Sequence, residues 1–186
     1  MRAPILLASV LLILFASGCI FGGDATNTAQ QLAGVRDSYI SNGLLAPTSP
    51  SAREQYRDEI LPFRATINSV PGSEGDALKA YLNGSLSLLA MVQATDDALA
   101  LIQKINFDAP DCGTNSPLSK SIKLLAEAKT HAESTYEYFS RVQENSSMAN
   151  ELGADYVLNA AETAQGVAQT HAERINELKT VCGLTV

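Results

Sequence analysis

The sequence has no tryptophan, and aromatic residues make up only 6% of its 186 positions. It has two histidines, three cysteines and seven prolines. No run of like charge stands out; the 13 basic and 20 acidic side chains are scattered along the chain. Each shortage excludes something. A diffuse net charge of −7 repels phosphate backbones and gives anionic lipid nothing basic to grip, so neither nucleic acid nor a charged bilayer surface is an expected partner. With 46% hydrophobic residues the composition is that of a folded domain, and the length suits one core. Alanine and leucine dominate the apolar set, and no segment alternates apolar and polar residues, so helix is expected over sheet.

Catalytic signatures are lacking as well. There is no G-x-S-x-G, H-E-x-x-H, P-loop or C-x-x-C-H pattern, and no Ser/His/Asp spacing that would connect a triad. Neither a catalytic residue nor a cofactor is therefore assigned.

The first 18 residues form an address. Arg2 is a short basic start. Ile5 to Phe15 is an apolar run broken only by Ser9, too short for an ordinary spanning helix of about 20 residues. Ala16, Ser17 and Gly18 are small and directly precede Cys19. The order Ala16-Ser17-Gly18-Cys19 resembles the lipobox of prokaryotic lipoproteins, with Ala16 where that family often has leucine. The resemblance covers residues 1–19 alone. It implies cleavage before Cys19, a diacylglycerol on its thiol, and a chain anchored by lipid to the extracytoplasmic face of the cell membrane. The competing reading is an uncleaved anchor extended through Ile20 and Phe21. Loss of Arg2 with the leader would take the charge from −7 to −8. Residues 19–27, rich in glycine and small polar groups, read as a short tether, and 28–186 as the folded domain.

With Cys19 acylated, Cys112 and Cys182 remain, an even pair outside the reducing cytoplasm. A Cys112–Cys182 disulfide is expected; two free buried thiols are the alternative.

Periodicity gives the domain. Residues 28–44 suggest a first helix lined by Leu32, Val35 and Tyr39 and ended by Asn42-Gly43. Tyr56, Ile60, Phe63, Ile67 and Val70 make one stripe, with Ser51 and Glu54 as a capping box and Pro62 as a break. Ser73 is the expected cap of a long helix to Ile105, apolar on most sides and so central. Runs at 117–145 and 149–181 complete an all-α antiparallel bundle of four to five helices. The hairpin of the last two returns Cys182 to the neighbourhood of Cys112, which supports the disulfide independently.

Candidate sites are few. Ala128-Lys-Thr-His-Ala-Glu133 and Ala168-Gln-Thr-His-Ala-Glu173 match at five of six positions; chance in Ala- and Glu-rich helices is the expected reading and a duplicated helical hairpin the alternative. Glu127 lies one turn before His131, a spacing that can hold a metal. The hairpin register offsets His131 from His171 by about 10 Å at 1.5 Å per residue, so both are expected as hydrogen-bonded core-edge histidines. Asp96-Asp97 and Asp108, Asp111 read as solvated or capping acids. Asn83-Gly-Ser and Asn145-Ser-Ser fit the glycosylation sequon, Asn145 better because it falls in a turn. The expected role is a membrane-anchored binding or structural module that meets envelope proteins. A small-ligand or metal sensor is second and an enzyme last. Buried polar groups converging between helices would favour the sensor, and an exposed apolar stripe the docking module.

Overall fold

The computed structural model describes residues 24–40 and 44–183. The leader, Cys19, the first part of the tether and the Asn42-Gly43 stop lie outside the described residues. Among those described the chain is all helix, without strands, in an antiparallel bundle. The helices are α1 (Ala25–Tyr39), α2 (Pro50–Ile60), α3 (Phe63–Asn68), α4 (Gly72–Ile102), α5 (Pro117–Gln143), α6 (Ser146–Glu151) and α7 (Ala154–Val181).

The helix starts are explained by side-chain oxygens that take orphan N–H groups. Asp24 accepts from the Thr26 N–H at 3.0 Å, so α1 begins three residues before the expected start. Ser49, not Ser51, caps α2. Its hydroxyl accepts from the Ala52 N–H at 3.2 Å, because Pro50 suits the first helical position and sets the start there. Ser116 does the same for α5, again ahead of a proline. Ser73 caps nothing: the chain enters α4 through an extended Pro71, which leaves Ser73 already inside the first turn. Pro62 splits the 51–70 run into α2 and α3 as its ring requires, while the stripe stays on one side, with Tyr56, Ile60, Ile67 and Val70 all buried. The 149–181 run is likewise two helices, because Gly153 in a left-handed conformation (φ 85°) separates α6 from α7.

Three long helices make the frame. α5 packs along α4 on one side and α7 on the other. Ala128 and Ala132 of α5 and Ala160, Ala164 and Ala168 of α7 are all buried, and their small side chains let the helices approach closely. α4 packs most extensively on α5 and also meets α1, α2, α3 and α6, which is why its apolar surface runs most of the way round. It is the one described helix long and apolar enough to cross a bilayer, and here it is the spine of the bundle. Gly75 is required there: a Cβ at this position would lie 2.0 Å from the Val70 carbonyl oxygen, where the α3–α4 turn folds against the helix.

The core is uneven. The main cluster lies where α1–α3 and α6 cover the frame, around Tyr56, Tyr81, Phe139, Met148 and Leu152. Toward the opposite end a second, smaller cluster is made by Ala98, Leu125, Ile175 and Leu178, with Ile102, Ile122 and Leu124 at its edge. There the Cys112–Cys182 disulfide joins the start of α5 to the end of α7, with Cα atoms 5.8 Å apart.

Candidate functional site

The principal polar feature is built on α1. Arg36 follows Leu32 by four residues and Ala29 by seven, so the helical period carries it onto the buried face. It is only 8% exposed. Its Nη1 donates to the Leu152 carbonyl and, at 3.5 Å, to the Tyr81 hydroxyl. Nε donates to Asp37 at 2.8 Å, and Nη2 forms an ion pair with the same carboxylate at 2.7 Å. The guanidinium lies over the Tyr156 ring, with Cζ 4.6 Å from its centroid.

The Leu152 carbonyl is one of the orphan acceptors at the C-terminus of α6, where a cation is favoured. Gly153 is needed twice: its backbone is left-handed, and a Cβ would come within 3.0 Å of Nη1. Behind the guanidinium Phe139 packs edge-on against both Tyr81 and Tyr156, which are tilted to one another, with centroids 5.8 to 6.4 Å apart. Burial pushes the Tyr81 and Tyr156 hydroxyls up, so both stay protonated donors. Burial works against the charge on Arg36, but Tyr81 and the hydrogen-bonded Asp37 outweigh it and its pKa is raised. The cluster therefore holds a permanent cation. Tyr56 and Ser85 add two buried hydroxyls beside Tyr81, close to one another but without a well-formed hydrogen bond.

Arg53 is a second buried arginine, 5% exposed, three residues before Tyr56 on the α2 stripe. It donates to the Thr48 carbonyl at 3.1 Å, to Gln93 at 3.2 Å and to Asp96 at 2.7 Å. Asp96 is therefore the clasp between α2 and α4, not the merely solvated or capping acid expected. Asp97 accepts from the Gln93 amide. Asp111 accepts from the Gly113 N–H, a local turn bond.

The histidines are not brought together. His171, 7% exposed, makes a 3.0 Å hydrogen bond to Thr95 of α4, whose hydroxyl also donates to the Met91 carbonyl. Burial lowers its pKa, so it is neutral near pH 7. His131 is half-buried on α5, and Glu127 faces Lys123 at 3.9 Å. Among the described residues no three His, Cys, Asp or Glu side chains approach one point closely enough to hold a metal ion.

The two asparagines of the sequons share a place. Asn83 and Asn145 both line an open groove of about 560 Å³ between α4 and α5, with Lys79, Tyr138, Arg141 and Glu144. A smaller recess of about 350 Å³ lies outside Tyr156, beside Leu45 and Asn159. Sequence reasoning passed over both buried arginines. The signal was present, since each sits on an apolar helical stripe, but a stripe is normally read for its apolar members. No family model, no curated protein and no solved structure matches this chain.

Proposed function

We propose that this chain is a lipoprotein held by Cys19 on the extracytoplasmic face of the cell membrane. Its bundle is a non-enzymatic binding or structural module that meets envelope proteins. One observation carries the reading. Setting aside the lipobox-like Cys19 leaves one cysteine pair, and that pair is joined as Cys112–Cys182. A structural disulfide of this kind belongs to an oxidising compartment, the destination that the leader-like residues 1–18 specify. α1 starts within a few residues of Cys19, so the tether is short and the bundle is held close to the lipid surface. The larger recess is an open groove between α4 and α5, edged by the charged side chains of Asp76, Lys79, Arg141 and Glu144, which supports a surface role. Cell fractionation of Cys19→Ala tests the anchor. The variant is expected to leave the membrane fraction for the soluble one, and unchanged sedimentation with membranes would contradict it.

The second reading is a small-ligand sensor, favoured by the buried Tyr56 and Ser85 hydroxyls beside Tyr81, which form no well-made hydrogen bond. Protein groups already satisfy the guanidinium, so the cluster acts as the lock that seats α1 on α6 and α7. A ligand bound there would lose affinity in Tyr56→Phe, whereas a lock would not need that hydroxyl.

A further inference from the structure

The two sequons stand in different structural settings. Asn83 is in the middle of the 31-residue α4, and the hydroxyl that completes its sequon belongs to Ser85, which is 1% exposed. That triplet is closed to any enzyme acting on the folded chain. Asn145 is the second of the two residues between α5 and α6, with a non-helical backbone (φ −107°, ψ 89°). The next two residues, Ser146 and Ser147, are exposed. The Oδ1 of Asn145 accepts from the Met148 N–H at 3.2 Å, which leaves the amide nitrogen out of the cap. The side chain opens onto the 560 Å³ groove, whose walls carry the donors, acceptors and aromatic face that sugar hydroxyls and rings favour: Lys79, Asn83, Tyr138 and Arg141.

We propose that Asn145 is an N-glycosylation site, modified at Nδ2 while Oδ1 continues to cap α6, and that Asn83 is not modified. The proposal rests on the extracytoplasmic reading above. The donor is a polyisoprenoid-phosphate-linked oligosaccharide presented by a membrane transferase. Nδ2 forms a bond to the anomeric carbon and gives one proton to the enzyme's base. The bond from that carbon to the phosphate oxygen breaks, and the polyisoprenoid phosphate leaves. The groove supplies the room that a first sugar needs beside the bundle.

The test is peptide-level mass spectrometry of the full chain purified from its own membrane, as wild type, Ser147→Ala and Ser85→Ala. Ser147→Ala removes the sequon but keeps the Asn145 cap, so folding is preserved, and circular dichroism checks it. The expected result is a sugar mass on the peptide containing Asn145, absent in Ser147→Ala and unchanged in Ser85→Ala. A lipidated, disulfide-bonded chain with bare Asn145, or with sugar on Asn83 alone, overturns the proposal and leaves the anchor standing. A chain with unmodified Cys19 and free thiols at 112 and 182 overturns both.

Discussion

The two ends of the bundle are held by different means. At the covered end α1, α2, α3 and α6 close over α4, α5 and α7, and three aromatic rings, a buried arginine and several large aliphatics share one core. At the other end α4, α5 and α7 share a cluster of only four buried residues, one of them an alanine. There the Cys112–Cys182 bond does what packing does elsewhere. A thin core is enough where a covalent link has already removed much of the unfolded chain's freedom. A core without a cross-link needs area and satisfied polar groups.

This contrast can be broken by experiment. The largest effect is expected on removing the disulfide by Cys112→Ser with Cys182→Ser. The bridge spans 70 residues, and its loss is expected to cost about 4 kcal/mol in urea unfolding on the chain-entropy account. Hydrogen exchange should speed up first around Leu125, Ile175 and Leu178, with Tyr81 and Phe139 little changed. Equal acceleration at both ends would show that the ends are not separable.

Arg36→Ala comes next and acts at the covered end. It strips the Leu152 carbonyl of its donor and uncovers Tyr156, for a loss of about 3 kcal/mol in the same assay. Arg36→Lys should restore only part of this, since a lysine has no planar fork to serve Leu152 and Asp37 together. Gly75→Ala should cost about 2 kcal/mol, because its Cβ meets a backbone oxygen that must move.

The smallest effect is one of pH. Burial lowers the His171 pKa below its ordinary 6.5, so the unfolded chain binds the proton more readily than the folded one. Stability supported by neutral His171 is complete above that value. It falls as pH drops below about 6.5 and levels off only below the folded pKa. Chemical denaturation from pH 8 to pH 5 should show a shallower decline in His171→Gln than in wild type. Equal slopes would mean that the Thr95–His171 contact is not pH-sensitive.

How far the sequence foretold this differs between the ends. The stripe of Tyr56, Ile60, Ile67 and Val70, the break at Pro62 and the pairing of Cys112 with Cys182 were legible, because period, proline geometry and parity are local or countable properties. Ser51 and Ser73 were misjudged as helix caps, because Pro50 at the first helical position and the extended Pro71 set the entries ahead of them. The Arg36 cluster was not legible. Its burial depends on the Leu152 carbonyl, more than a hundred residues away, and on Gly153 being small, and no periodic pattern encodes either. Asp96 was set aside for a similar reason: its partner Arg53 lies on another helix. Long-range polar pairing needs the fold before it can be seen.

The most direct test of the account is a thiol count on the protein taken from intact cells quenched in acid. The thiols would be alkylated before and after reduction and the whole chain weighed. The account predicts no alkylated cysteine before reduction and two after, on a chain that begins at acylated Cys19. Three free thiols on a chain that still begins at Met1 would contradict it, because both the anchor and the oxidising compartment would then be lost together.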